Sequence, residues 1–447
     1  MNDRTGYFLV ALVIAAPVPQ ASLPMVWWLV LSALILLATT SYMLRGARLD
    51  PGRPLQLMRH RAPFLLVLPV LFFILLQGLP LAGLFRAGLH LPALPVEPPA
   101  SISVLPTATL AGALRVLAYM AFFALALEAG GQAARAERLG WLIFFGIVAH
   151  AVWALVALNL LGDYVPWGEK PGYQGVATGT FVNRNSFATF LGFGVVLGIA
   201  LSVERARGPR IRQSRGRHLL SAENVEIAAV WVAVAVIGAA LAATGSRLGA
   251  AATLVAVAAV ALVLRAKSGA SPRRVMAEAA AVVLAFGILA LAQGGTEVVE
   301  RMLFISVDSG SRADIYAQIL PMIAARPLAG YGWDAFAPAF ELFRQPGLNP
   351  DGSLLLAHST YLTLWVELGL VIGSLPVIAA LVVGVSLVRR LVRRTTHLAM
   401  PAAGLGALVL GGVHSLFDFS LEMPANMLLF LALLALGAAR RRKQTGQ

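Results

Sequence analysis

Arginine recurs beside small polar residues along this chain, each time where an apolar or amphipathic stretch begins. Thr178-Gly-Thr-Phe-Val-Asn-Arg-Asn-Ser186 precedes one such stretch. Arg184 stands there between Asn183 and Asn185, either of which can cap a helix and leave its first N–H groups facing outward. An arginine at a helix N-terminus makes an anion site. Thr244-Gly-Ser-Arg247 joins two apolar runs by a hairpin so tight that Arg247 must lie at their common end. A turn there needs glycine and serine, but not arginine. The planar guanidinium offers a fork of donors that fits phosphate bidentately. Ser309-Gly-Ser-Arg312 opens a third, amphipathic stretch. Each arginine also has a plain reading: lipid head-group contact for Arg184 and Arg247, a solvated helix face for Arg312.

Two further motifs supply acid–base groups. In Ala357-His358-Ser-Thr-Tyr361-Leu-Thr-Leu-Trp-Val-Glu367-Leu-Gly369, His358 and Tyr361 fall one turn apart on a helix, with Glu367 deeper in the same apolar run. Histidine titrates near neutrality and suits a general base. A carboxylate inside an apolar span marks function unless it is paired. In His414-Ser-Leu-Phe-Asp418-Phe-Ser-Leu-Glu422, His414 and Asp418 are four apart and share a helix face. The alternatives are an interfacial histidine bonded to backbone and a structural polar pair. Taken together, several arginines gathered near two histidines suit a substrate with more than one negative charge, such as a pyrophosphate. The chain has no cysteine, and its outer loops lack His-x₂₋₄-His or Asp-x-Asp spacing. The chemistry expected is therefore free of metal and of any other cofactor, with arginine neutralising charge.

The elements that position these residues follow from composition. The chain of 447 residues is 59% hydrophobic and only 13% charged, against about 25% charged in soluble domains. The apolar residues come in blocks long enough to cross a bilayer. The expected fold is an all-α polytopic membrane protein of about 12 transmembrane helices, near residues 7–22, 24–44, 63–83, 108–128, 140–161, 185–203, 227–244, 248–264, 278–293, 359–388, 399–417 and 424–439. Arg4 and the run after it resemble a signal peptide, but no small-x-small cleavage site follows, so an uncleaved first span is preferred. The net charge of +14 comes from basic loops that alternate with loops poor in Lys and Arg. The positive-inside rule accounts for that pattern, puts both termini in the cytoplasm and removes the need for a nucleic-acid partner.

On the opposite face, residues 84–107 read as a plain proline-rich surface linker. Residues 294–357, between the ninth and tenth spans, are too long for a connector and too apolar for disorder. A helix is expected over Arg312–Ala325, capped by Ser309 or Ser311 and ended at Arg326-Pro327, with a second near Asp334–Phe343. The organisation expected is 1–177 for the N-terminal spans, 178–293 for central spans bearing the arginine motifs, 294–357 for a periplasmic loop subdomain and 358–447 for the last spans with a basic tail. Of eight cations on that face, Arg86, Lys170, Arg184, Arg247, Arg301, Arg312, Arg326 and Arg344, some need a reason beyond topology.

The succession TGTFVNRNSFA, TGSRLG, SRADIYAQILPMIAARPLAGYGWDAF and AHSTYLTLWVELGL resembles the bacterial O-antigen ligase and O-antigen polymerase superfamily over roughly residues 178–390, with HSLFDFSLEMPAN near the end. The resemblance implies about twelve helices with one large late periplasmic loop in the inner membrane. It implies an inverting glycosyl transfer on the periplasmic face. The donor would be a glycan on undecaprenyl pyrophosphate, and the acceptor a hydroxyl on lipid A–core or on another lipid-linked glycan. It implies functional roles for Arg247, Arg312 and His358. Where relatives often carry His-Asn, this chain has His358-Ser359. Two rivals stand beside this reading. A transporter or flippase fits the span count, but no internal repeat is visible. A metal-dependent glycosyltransferase would carry paired acids in the first outer loop, where residues 84–107 hold only Glu97.

Overall fold

A peptide group in hydrocarbon has no water to bond, so a stretch that crosses a bilayer folds as helix and satisfies its backbone internally. The computed structural model of the chain describes residues 2–49, 55–85, 100–168, 170, 172–206, 222–267, 305–345 and 355–440. Among them the chain is helical, with no strand. The main helices are α1 (Asn2–Ala15), α2 (Met25–Leu49), α3 (Arg61–Gly78), α4 (Pro106–Ala129), α5 (Ala133–Leu160), α6 (Arg184–Ala206), α7 (Ala222–Ala243), α8 (Arg247–Ala266), α9 (Ile305–Ala325), α10 (Phe336–Glu341), α11 (Thr360–Arg393), α12 (Ala399–His414) and α13 (Pro424–Ala438). Eight of them, α2 to α8 and α11, are long and apolar enough to cross a membrane. The protein is an all-helical polytopic membrane protein. The expected span at 278–293 lies outside the described residues. The first expected span is only the 14 residues of α1. Pro17 and Pro19 stop it, and Gln20, Ala21 and Ser22 turn the chain with positive φ. The 16 and 15 residues of α12 and α13 reach about 24 and 22 Å, short of the ~30 Å hydrocarbon.

At the centre stands α6, buried at every residue from Ser186 to Ser202. It packs against α5, α7, α8, α12 and α13. Glycine makes this possible. A β-carbon at Gly192 would meet Thr253 Oγ1 at 2.4 Å, and one at Gly198 would meet Phe144 at 2.5 Å. Without a hydrophobic drive between helices in lipid, such close approach of small residues is what holds them together. The basic ends gather at one end of this bundle. Arg205 pairs with Glu226, Glu204 accepts from the His397 and Leu398 N–H groups, and Lys267 reaches the Val392 carbonyl. The arginine motifs lie at the other end.

Sequence periodicity suggests one unbroken helix for the span after His358, but α11 breaks at Gly369 (φ 75°, ψ 169°). A β-carbon at Gly373 would lie 2.4 Å from the Leu364 carbonyl, and Trp365 Nε1 donates to Ser374 Oγ at 3.1 Å. Residues nine apart in a straight helix are about 13.5 Å apart, so the two pieces fold sharply on each other. The segment 327–332 satisfies the opened backbone. The Leu370 N–H donates to the Pro327 carbonyl (2.7 Å), Tyr331 N–H to Val366 (2.9 Å) and Gly332 N–H to Glu367 (3.0 Å). Residues 370–393 alone measure about 36 Å, enough to span. Glu367 therefore lies above the break, in a folded-back helix, rather than deep within a continuous span.

The described part of the long loop has its own small core of Ile315, Ile319, Met322, Tyr331, Phe336 and Phe340. α9 ends at Arg326-Pro327 as expected, but it begins at Ile305 and runs through Ser309 and Ser311, so neither starts it. α10 covers Phe336–Glu341, with Pro338 in its first turn, where no helical N–H is lost. The proline-rich linker differs from expectation at its end. Ser101, Ile102 and Ser103 are buried, because the Ser103 N–H donates to the Gln77 carbonyl and Val104 N–H to the Tyr331 carbonyl, each at 2.9 Å.

Candidate active site at the arginine-bearing helix ends

Two helix N-termini meet at the arginine end. Asn183 caps α6, its Oδ1 accepting from the N–H groups of Asn185 (2.7 Å) and Ser186 (3.1 Å). Ser246 caps α8 by accepting from the Gly249 N–H at 3.2 Å. The two caps are tied together, since Ser246 Oγ donates to Asn185 Oδ1 at 2.7 Å. Arg184 and Arg247 are thus the first residues of neighbouring helices. Gly245 (φ 62°) makes the hairpin turn, and a β-carbon there would sit 3.6 Å from Arg184 Nη1. The Arg184 guanidinium lies over the Tyr173 ring at 5.4 Å, and its buried Nε donates to no described group. Two adjoining helix N-termini, each opening on an arginine, favour an anion of more than one charge.

His358 is not on a helix. It precedes the Ser359 cap of α11 with φ 54°, a conformation rare outside glycine. The Tyr316 hydroxyl on α9 donates to the His358 carbonyl at 2.9 Å. Arg312 stands four residues before Tyr316 on the same helix. The His358 ring meets Phe419 edge-on at 5.1 Å. From there the 415–422 turn leads back to α6. The Thr360 N–H donates to the carbonyls of Ser415 (3.1 Å) and Asp418 (3.2 Å). His414 Nδ1 lies 3.8 Å from Asp418 Oδ1 and 2.9 Å from Thr189 Oγ1. Ser420 donates to Asp418. Asn426 Nδ2 donates to the carbonyls of Ser186 and Ser420, each at 2.9 Å. His414 and Asp418 are buried, at 1% and 0% exposure, so this expected pair joins α6 to the turn beside His358. Tyr361 donates to the Gly412 carbonyl at 2.9 Å.

Glu367 belongs to a different group. Its Oε1 accepts from the Phe336 N–H at 3.2 Å, and it lines a cavity with Arg115, Tyr119, Asp334 and Glu422. Arg115 Nη2 lies 2.5 Å from Asp334 Oδ1, and its guanidinium packs over Trp28 and Trp333 at 5.0 and 5.9 Å. Glu422 Oε1 accepts from Thr363 Oγ1 at 3.0 Å. Burial, with Asp418 and Asp334 nearby, pushes the Glu422 carboxyl up to about 8, against the hydrogen bond from Thr363. Among the described residues no three His, Cys, Asp or Glu side chains come together to hold a metal ion.

The structure also sorts the cations of this face. Lys170 is held by Asp163 and the Val176 carbonyl, each at 2.7 Å. Arg344 is held by Glu341. Arg326 donates to the Ile102 carbonyl at 3.1 Å and stacks on Tyr331. Arg86 and Arg301 lie outside the described residues. Arg184 and Arg247 have no carboxylate within ion-pair distance among the described residues. Arg115 escaped the sequence reading, although a lone arginine inside the apolar run 108–128 was a signal for it.

None of the curated proteins matches the chain. Residues 232–377 match the family model of the O-antigen ligase, a stretch running from α7 into α11 that contains Arg247, Arg312, His358 and Glu367. This match covers about a third of the chain and is a similarity to the O-antigen ligase family.

Proposed function

We propose that the protein transfers a glycan from undecaprenyl pyrophosphate to an acceptor hydroxyl, on lipid A–core or on another lipid-linked glycan. The observation that carries this reading is the pairing of Arg184 and Arg247 at two tied helix N-termini. Such a pair suits a diphosphate, and it stands beside the turn that also holds His358. In this reading Arg184, Arg247 and Arg312 bind the diphosphate and neutralise the charge that grows as the C1–O bond breaks. Asn183 and Asn185 fix the two helix ends. His358 takes the proton of the acceptor hydroxyl. The hydroxyl attacks C1 opposite the leaving diphosphate, so the anomeric configuration inverts, and the diphosphate leaves without a metal or a covalent intermediate. Tyr361, His414 and Asp418 hold the turn in place. Glu367 fixes the loop that carries Asp334 and Phe336. The basic ends mark the cytoplasmic side, so the transfer takes place on the periplasmic face of the inner membrane.

The test is to incubate the purified chain in nanodiscs with lipid-linked glycan, with and without lipid A–core, in the presence of a chelator. A longer lipid-linked glycan or a glycosylated core is expected, and which one grows decides between polymerase and ligase. Arg247→Lys keeps the charge but loses the bidentate fork. Losing one charge-assisted bond of about 1.5–3 kcal/mol lowers kcat/KM about 10- to 150-fold. No product with either acceptor, together with passage of lipid-linked glycan across vesicles, would replace this reading with transport.

A further inference from the structure

A hollow separate from the paired arginines lies among α4, α11, α13 and the 415–423 turn. It measures about 440 Å³, within the range of ligand sites. Neither Arg184, Arg247 nor His358 lines it. The folded-back helix 360–368 and the 415–423 turn contribute its wall on that side.

The hollow has two parts. Its upper end is polar, with Arg115, Asp334, Glu367, Glu422 and Thr363. Below, it is apolar. α4 lines it from Arg115 to Phe123, about 12 Å at helical rise, and α13 from Met427 to Leu434. Leu381, halfway along the spanning piece of α11, lines it and is 56% exposed, and Leu355 is 66% exposed. The hollow therefore opens sideways, toward hydrocarbon as well as toward the loop. A water-soluble sugar has no use for such an opening, but a lipid does.

The polar end restricts what kind of lipid. Among the described residues Arg115 is the one cation lining the hollow, and it is already bonded to Asp334. A diphosphate would bring at least two charges to two further carboxyl groups with no other described cation to meet them, which is costly in an apolar setting. Hydroxyl groups face no such cost, because carboxyl oxygens accept from them. The Tyr119 hydroxyl and Trp333 Nε1, both lining the hollow, are buried donors with no hydrogen-bond partner among the described residues. Donors left in that state call for an acceptor from outside.

We propose that this hollow is a second lipid site, which takes from the bilayer a glycolipid whose head carries hydroxyls and no phosphate. The site rests on its own geometry. It does not depend on the function proposed above, whose acceptors both carry phosphate. The head lies among Glu422, Asp334 and Trp333, and the acyl chain runs down between α4, α11 and α13.

The probes are monoglucosyl diacylglycerol, phosphatidylglycerol and undecaprenyl pyrophosphate, bound to the full chain in detergent and read by native mass spectrometry. Ala380→Trp fills the apolar part, and Glu422→Leu removes a head contact. Monoglucosyl diacylglycerol should bind the wild type, at least 10-fold less well to either variant, and unchanged to Arg247→Ala. Undecaprenyl pyrophosphate should keep its affinity for Ala380→Trp, which also shows that this variant is folded, and lose it in Arg247→Ala. Equal binding of phosphatidylglycerol and the glycolipid, or unchanged glycolipid affinity in both variants, would overturn the proposal. Loss of undecaprenyl pyrophosphate binding in Ala380→Trp alone would also overturn it, and would assign the hollow to the donor's chain. Undecaprenyl pyrophosphate that binds no form, with the glycolipid still behaving as expected, would count against the transfer reading and leave this site standing.

Discussion

Gly369→Ala should loosen the ceiling of the site while leaving the bundle below it folded. At φ 75° and ψ 169°, Gly369 occupies backbone space that is essentially glycine-only, which costs about 1–3 kcal/mol for any other residue. The added methyl also meets the Leu328 carbonyl at 2.5 Å and the Pro327 carbonyl at 2.9 Å. These are backbone atoms of the 327–332 segment, so relief requires that segment to move. Movement endangers the bonds Leu370 to Pro327 and Gly332 to Glu367, at about 0.5–1.5 kcal/mol each. The sum is about 2–6 kcal/mol, enough to open a local unit without global unfolding. Hydrogen exchange in nanodiscs is the assay. The amides of Leu370, Tyr331 and Gly332 should lose protection by about 30-fold or more, which is 2 kcal/mol, and those of α6 should not. Gly83→Ala is the control, since its methyl meets nothing within 4 Å. Unchanged protection at the three amides in Gly369→Ala would refute the view that this break is held by backbone geometry.

Two other expectations bear on the site. Arg184→Lys and Arg247→Lys should each lower kcat/KM about 10- to 150-fold, and the double variant should depart from additivity by more than about 0.5 kcal/mol; additive losses would mean that the two arginines serve separate ligands. Glu422, pushed up to about 8 by burial, binds its proton more tightly folded than unfolded. Its contribution to stability is therefore complete below about 4.3 and lost as pH rises through 8. The unfolding temperature should fall from pH 5 to 8 in the wild type and stay flatter in Glu422→Gln. A wild-type profile that rises over that window would contradict the assignment.

The chain shows most of its helices in its sequence, because a bilayer demands long apolar runs that little else explains. The Thr244–Arg247 hairpin and the His414–Asp418 pair were equally legible, since both are local. Spacing left the cap of α6 open between Asn183 and Asn185. Packing decides it, because Ser246 on another helix engages Asn185. The break at Gly369 was hidden for a similar reason. Apolar residues run without interruption on both sides of it, glycine is ordinary in membrane helices, and the groups that satisfy the break come from residues 327–332. Arg115 was readable as a lone charge in a span. Its partner Asp334 lies 219 positions away, and no periodicity links the two.

The same packing bears on the choice between enzyme and transporter. Alternating access rocks one half of a protein against the other around a site near mid-membrane. Here α6 is buried along its length and holds α5, α7, α8, α12 and α13 at glycine contacts. A plane of rocking through the arginine site would have to pull these contacts apart, or break the His414, Thr189 and Asn426 bonds that tie α6 to the 415–422 turn. A rigid arrangement suits transfer instead. Inversion needs nucleophile and leaving group on opposite sides of one carbon. In the transfer proposed above, the anion at the α6 and α8 ends would be the leaving group, and the acceptor hydroxyl would reach C1 from the other side. His358, in contact with Phe419 of the 415–422 turn, is the group proposed above to take the acceptor's proton.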